Sequence, residues 1–332
     1  MRLLGAPDPT VIVDGMDSRL MIRSMTVEAA GVLSLELVDP GGDKLDEWEP
    51  GAHLDVVLET AAGEVVRQYS LCGDPAERLS YRIGVLRDAA GRGGSLHVHD
   101  ALRPGDLVRV RGPRNHFRLV DADEYVFVAG GIGVTPLVPM VDEVRRRGLP
   151  YRFLYGGRSA ASMAFVDRLR EHGDRLTVWP QDTHGLLDLP GAIGDPRPGL
   201  AVYCCGPEPL LAAMEALMGG WPSGALHVER FAAPPPAADA TPLESGAFEV
   251  VLQRSDRCLT VPAERSLLDV LVEAGAPVLS DCREGICASC ETPVLSGEID
   301  HRDHVLTPQE RAAGRVMMAC VSRATGRLVV DL

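Results

Sequence analysis

The sequence predicts a multidomain chain: an antiparallel β-barrel or sandwich, then an α/β unit with a parallel sheet, then a small β-grasp module. Three observations carry this. Apolar runs between about Leu20 and Arg118 are short and broken by Gly and Pro, with little helical periodicity. The middle of the chain alternates buried-strand patterns with amphipathic helices. The last part combines short alternating strands, one capped helix and a loop of closely spaced cysteines.

In the middle unit, Tyr125–Ala129, Tyr151–Tyr155, Leu176–Trp179 and Leu200–Cys204 are expected strands, and Pro136–Arg147, Ala161–His172 and Glu208–Met218 expected helices. In the last unit Phe248–Leu252 and Leu328–Leu332 read as strands. Ser266 caps a helix whose apolar positions are Leu267, Leu268, Leu271 and Val272. Between Phe231 and Phe248 runs a Pro- and Ala-rich stretch without periodicity, the signature of a semi-rigid spacer. The expected boundaries are therefore 1–120 for the barrel, 121–231 for the parallel-sheet domain, 232–247 for the linker and 248–332 for the cysteine module.

A chain of 332 residues with 45% hydrophobic and 24% charged content is that of an ordinary globular protein. Its net charge of −14 argues against nucleic acid or an anionic membrane as partner. No apolar run is long enough to span a bilayer, and the short stretch Pro9–Val13 lacks a signal-peptide layout, so a cytoplasmic location is expected.

The most specific motif is Cys282-x4-Cys287-x2-Cys290 with a distant Cys320. This is the plant-type spacing for a [2Fe–2S] cluster on four thiolates. Gly285, Ala288 and Ser289 are small enough to let backbone N–H groups approach the sulfurs. The competing zinc assignment would recruit His301 or His304; those histidines read more simply as exposed loop residues. Cys72 and Cys258 read as small buried hydrophobes.

Gly130-Gly131-Ile132-Gly133-Val134-Thr135-Pro136 joins a strand to a helix, where backbone N–H groups can meet a pyrophosphate. Thr135 is expected to cap that helix, with Pro136 at its first position. A second turn, Cys205-Gly206-Pro207, ends another parallel strand. In the first unit, Arg67-Gln68-Tyr69-Ser70 offers a cation, an aromatic ring and a hydroxyl, and Gly91-Arg92-Gly93-Gly94-Ser95 offers a nest of N–H donors.

In this order the motifs resemble the ferredoxin–NADP reductase superfamily. The appended cysteine module resembles its phthalate dioxygenase reductase and vanillate demethylase reductase branch. Pro113-Arg114-Asn115, Trp221-Pro222-Ser223-Gly224 and His227-x-Glu229-x-Phe231 carry the same likeness, which covers the chain from about Arg19 onward. The resemblance implies a Greek-key flavin barrel with FMN. Arg67, Gly93, Gly94 and Ser95 would hold its phosphate, and Tyr69, Ser70, Gly84, Val85 and Thr135 would lie at the ring. Phe231 would pack where nicotinamide and flavin meet, or else be a core aromatic. Gly130, Gly131, Ile132, Gly133, Thr135, Pro136, Cys205, Gly206 and Pro207 would form the NAD(P) cleft. Glu229 and Cys205 are the candidates for a direct chemical role.

Two positions depart from the pattern. Ala288 stands where such loops often carry glycine; at positive φ, alanine costs roughly 1 kcal/mol. Arg158 and Ser159 follow the second parallel strand where an acidic residue would select NADH, so NADPH stays open. The implied function is electron transfer from NADH or NADPH through FMN and [2Fe–2S] to a terminal oxygenase, a Rieske non-haem iron oxygenase first and cytochrome P450 second. Alternatives are a reductase for small quinone or flavin acceptors, and a redox-sensing binding module.

Overall fold

The structure, a computed structural model, describes residues 17–60, 63–234 and 246–332. Among the described residues the first unit has six strands: β1 (Ser18–Ala29), β2 (Val32–Val38), β3 (His53–Thr60), β4 (Gly63–Ser70), β5 (Tyr81–Leu86) and β6 (Leu107–Arg114). They pair antiparallel in the order β4-β3-β6-β1-β2-β5. A bridge between Leu71 and Ile83 joins the two outer edges, so the unit is a barrel rather than a sandwich. Inward positions Leu20, Ile22, Leu35, Leu37, Leu54, Val56, Ile83 and Val85 fill it. A short helix, Gly94–Asp100, packs beside β3, β4 and β5.

The second unit is a five-stranded parallel sheet of β7 (Glu124–Gly130), β8 (Tyr151–Gly157), β9 (Leu176–Pro180), β10 (Leu200–Cys205) and β11 (Leu226–Glu229). Their order is β11-β10-β7-β8-β9. The chain runs outward from β7 to β9, then returns to the other side at β10. The switch point therefore lies between β7 and β10, where ligands sit in such sheets. Strand β11 is too short and too polar in pattern to show in the sequence. The expected helix over 161–172 is not continuous. Phe165 adopts φ 60, which interrupts it into a short helix, Val166–Leu169, flanked by 3₁₀ turns. The phenylalanine side chain is buried in the core of this domain. The first helix of this unit spans Val134–Arg146 with Gly133 at its cap. Thr135 is therefore not the cap: it sits inside the helix and its Oγ1 donates to the Ile132 carbonyl at 2.9 Å.

The third unit is a mixed sheet of β12 (Phe248–Leu252), β13 (Arg257–Val261), β14 (Glu291–Asp300), β15 (Val316–Met318) and β16 (Arg323–Val330), ordered β13-β12-β16-β14-β15. Only β12 and β16 pair parallel, with the helix Leu267–Glu273 as the crossing element, which is the β-grasp arrangement. That helix buries Leu267, Leu268, Val270 and Leu271, whereas Val272 is 47% exposed, correcting the expected apolar face by one position. The last strand also begins earlier and stops at Val330. Cys72 is buried as expected, but Cys258 on the edge strand β13 is exposed. The expected linker falls mostly on residues 235–245, outside the described residues.

Ser266 Oγ accepts from the Asp269 backbone N–H at 3.1 Å and caps the grasp helix. Ser266→Ala should destabilise this module by about 1 kcal/mol, read as a lower denaturant midpoint at unchanged slope.

Candidate active site and cofactor cradles

The two glycine turns of the parallel sheet meet at the switch point. A Cβ on Gly133 would lie 2.3 Å from the Cys205 carbonyl oxygen, and one on Gly130 would lie 2.6 Å from Pro207. A Cβ on Gly206 would lie 2.9 Å from Gly130 Cα. These glycines bring two backbone turns into contact, a stronger constraint than ligand approach alone. Gly131 differs: it has φ 55 and nothing near its Cβ position, leaving that side of the turn open. Ile132 is partly buried beside it, and Pro136 is buried within the first turn of the helix.

Arg158 follows β8, is exposed, and its carbonyl accepts from the Asp182 N–H at 3.1 Å. Ser159 instead closes a local capping box with Ser162, so its hydroxyl is engaged within its own turn. Asp182 has no local signature in the chain, because only the fold brings the end of β9 beside the end of β8.

On the barrel, Arg67 lies across the glycine turn. A Cβ on Gly94 would meet Arg67 Cγ at 2.7 Å and Nε at 3.0 Å, and Arg67 Nη2 donates to the Arg92 carbonyl at 3.1 Å. Gly93 has φ 81, a left-handed conformation that favours glycine. Ser95 Oγ accepts from the Asp88 N–H at 3.1 Å. A guanidinium seated over a side-chain-free turn fits a phosphate ester. The phenol of Tyr69 is pushed up to about 12 by burial and stays neutral. At Gly84 the Cβ position is 2.8 Å from Thr135 Cγ2 and 3.3 Å from the Phe165 ring. It thus lets the barrel and the parallel-sheet domain touch. The Val85 side chain fills the barrel core and its carbonyl meets His99 Nε2 at 3.0 Å.

A cavity opens where all three units meet. Arg67 and Ser70 line it from the barrel, Glu229 and Phe231 from the end of β11, and Cys282, Ile286 and Cys287 from the cysteine loop. Phe231 is 45% exposed, so it is a cavity-edge residue rather than a core aromatic. Ser70 Oγ donates to Glu229 Oε2 at 3.5 Å and the Cys205 thiol reaches the same oxygen at 3.9 Å. Loss of hydration pushes the Glu229 carboxyl up to about 8, against the pull of those two donors. Burial, reinforced by Glu229, raises the Cys205 thiol well above its ordinary value. Cys205 is thereby a neutral donor to Glu229 and not a thiolate nucleophile.

The four thiols of Cys282, Cys287, Cys290 and Cys320 come together in pairwise contact: Cys282 with Cys287, and Cys320 with Cys282 and Cys290. The Glu284 N–H points to Cys282 Sγ at 3.3 Å and the Ser289 N–H to Cys287 Sγ at 3.5 Å. Ala288 has φ 56, the conformation anticipated from its place in the loop. Gly285 has φ 70, and its Cβ position is 2.6 Å from Val321. Among the described residues no three His, Cys, Asp or Glu side chains are arranged for a single metal ion. Two thiolates for each iron of a binuclear cluster make no such demand. His304 is exposed as expected, but the His301 side chain is only 9% exposed, 3.6 Å from Asp303.

Comparison with known proteins agrees with this layout. Residues 250–325 match the family described as a 2Fe-2S iron-sulfur cluster binding domain. A solved phthalate dioxygenase reductase, described as a modular structure for electron transfer from pyridine nucleotides to [2Fe-2S], is 40% identical with a TM-score of 0.68, over 96% of this chain and 98% of that one. This chain belongs to the phthalate dioxygenase reductase family. The phenoxybenzoate dioxygenase subunit beta of Ectopseudomonas oleovorans is 42% identical over 94% of this chain and 97% of its own length. An intact type IV self-sufficient cytochrome P450 monooxygenase is 44% identical with a TM-score of 0.89 over 98% of this chain, which spans 43% of that longer protein. The family members are oxidoreductases, reductase components of oxygenase systems. Among the described residues no helix is long and apolar enough to cross a membrane.

Gly133→Ala forces a Cβ against a backbone carbonyl that cannot rotate away. It should cost about 1–3 kcal/mol of stability and weaken NADH binding, read by thermal melting and by nucleotide titration of the same preparation.

Proposed function

We propose that this chain carries electrons from NAD(P)H through FMN and a [2Fe–2S] cluster to a separate terminal oxygenase, in the cytoplasm where NAD(P)H is supplied. The observation that carries the proposal is one cavity bounded by Arg67 and Arg92 of the phosphate cradle, the end of β11 at Glu229 and two cysteines of the cluster motif. Bound flavin would convert the two-electron parcel of a hydride into the single electrons that a cluster accepts.

The chain's own residues supply binding, orientation and proton control. Arg67 with Gly93, Gly94 and Ser95 would hold the FMN phosphate, and Tyr69 and Ser70 would fix the ring edge. The open side of the Gly130–Gly133 turn would take the pyrophosphate. Arg158 suits a 2′-phosphate and Asp182 suits free ribose hydroxyls, which supports both nucleotides as donors. Phe231 would cover the cavity edge until the nicotinamide enters. Desolvation pushes the Glu229 carboxyl toward its neutral form, which would lessen the negative charge facing the arriving hydride.

A Rieske non-haem iron oxygenase is the first acceptor, on the strength of dioxygenase-system relatives that match over nearly their full length. Cytochrome P450 is the second, supported by the higher TM-score with the self-sufficient P450 at comparable identity. The purified protein should show flavin and iron–sulfur absorption, reduce cytochrome c with NAD(P)H, and support product formation when reconstituted with its oxygenase. Cys287→Ser should lose iron and cytochrome c reduction while NAD(P)H still bleaches the flavin. A colourless, iron-free protein from anaerobic preparation would falsify the proposal, and unchanged turnover in the serine variant would favour small diffusible acceptors.

Glu229 also makes a pH prediction. Its folded value of about 8 lies above the ordinary 4.5. The unfolded chain therefore ionises first, and stability contributed by the neutral carboxyl is present below 4.5 and lost as pH rises through 8. Relative to Glu229→Gln, the wild type should lose stability across that window and no further above it. Denaturant titrations at stepped pH check this. The rate of flavin reduction should show an inflection near pH 8 that is absent from the glutamine variant.

A further inference from the structure

Cys282 is bracketed by Asp281 and Glu284, and arginines of the flavin barrel hold both. Arg111 Nη1 lies 3.3 Å from the Asp281 carboxylate and Arg114 Nη2 lies 3.7 Å from it. Arg92 Nη1 lies 3.5 Å from Glu284 Oε1 and donates to the carbonyl of Cys282 itself at 3.3 Å. Arg114 Nη2 also donates to Ser289 Oγ at 2.9 Å, next to Cys290. The Asp281 side chain is 1% exposed, so its contacts with Arg111 and Arg114 are made away from water, whereas the Arg92–Glu284 pair lies at the surface. Arg92 belongs to the glycine turn, and its carbonyl accepts from Arg67. One arginine thus ties the phosphate cradle to the first cluster cysteine.

Such contacts add little net binding, because removing charges from water offsets their attraction. They act on geometry instead. Charge-assisted hydrogen bonds are directional, and a misplaced cluster loop would leave Asp281 buried without a partner. Arg111 and Arg114 keep partners within the barrel unit as well: Arg111 Nε donates to Asp17 at 2.7 Å, and Arg114 pairs with the fully buried Asp55. Asp55 is itself held by Gln68 Nε2 at 3.0 Å. Those two guanidiniums therefore have partners that orient them independently of the cluster loop.

We propose that Arg92, Arg111 and Arg114 are positioning residues, a three-arginine clamp that seats the 281–284 segment against the flavin turn and thereby sets the rate of electron transfer from flavin to cluster. The clamp rests on the flavin-to-cluster relay proposed above. In the step it governs, one electron leaves the reduced flavin and one ferric ion of the cluster becomes ferrous; no bond forms or breaks, and NAD(P)H is the reductant.

The test mixes the anaerobic holoenzyme with NADH in a stopped-flow instrument and follows flavin bleaching and cluster reduction separately. Glu284→Arg, which turns attraction to Arg92 into repulsion, should slow the cluster phase about three- to fivefold, the scale of an exposed ion pair. The flavin phase should keep its wild-type rate. Backbone hydrogen exchange over residues 280–286 should rise in the same variant, a readout independent of turnover. The double exchange Arg92→Glu with Glu284→Arg should restore the cluster phase and the protection. An unchanged cluster phase with unchanged exchange in Glu284→Arg overturns the clamp, as does a double variant that fails to recover. Should Glu284→Arg lose its iron, Arg111→Gln takes its place: a slower cluster phase with faster exchange supports the clamp, and no change in either overturns it. A wild type whose flavin is not bleached by NADH would refute the relay instead, and hydrogen exchange would still judge the clamp.

Discussion

The parallel pairing of β7 with β10 is the contact on which the site depends. Its register sets Ala129 opposite Cys205, so that both strands end together and their turns collide unless glycine occupies Gly130, Gly133 and Gly206. Once they end together, β11 pairs beyond β10 with Glu229 opposite Cys205. That register sets the Cys205 thiol beside Glu229 Oε2, the oxygen that Ser70 of the barrel also reaches. A slip of one residue would turn Glu229 to the other face of the sheet.

Burial does different work on the two sides of the cavity. Around Glu229 it is opposed by the neutral donors Ser70 and Cys205, and the carboxyl is driven toward its neutral form. Around Asp281 the barrel brings Arg111 and Arg114 within reach, and the chain meets the same desolvation with ion pairs. A neutral acid suits the approach of hydride, and a paired one suits a surface that must dock in one orientation. The net charge of −14 is therefore a poor guide to local chemistry, since the face of the barrel toward the cluster is led by arginine.

Local signals in the chain were legible wherever one segment decides its own conformation. The cysteine spacing, the Ser266 cap, strand Phe248–Leu252 and helix Glu208–Met218 need no distant partner to be recognised. Expectation and structure part where tertiary packing overrides propensity. Phe165 at φ 60 breaks an otherwise helical pattern because its ring is drawn into the contact with Gly84. Thr135 has the chemistry of a cap but is carried inside the helix by the 3₁₀ turn before it. Strand β11 carries little apolar pattern because only its pairing with β10 makes it a strand. His301 looked like a solvated loop residue, yet the fold buries it beside Asp303.

The sequence by itself determined the module order, the plant-type cysteine spacing and the two glycine turns, because each is written in spacing over a few residues. Only the tertiary structure decided that the barrel closes, that Asp182 joins Arg158, that Cys205 serves Glu229, and that Arg92, Arg111 and Arg114 face the cluster loop. Those are meetings between residues far apart in the chain, made by strand pairing, burial and charge between packed segments, which no local pattern records.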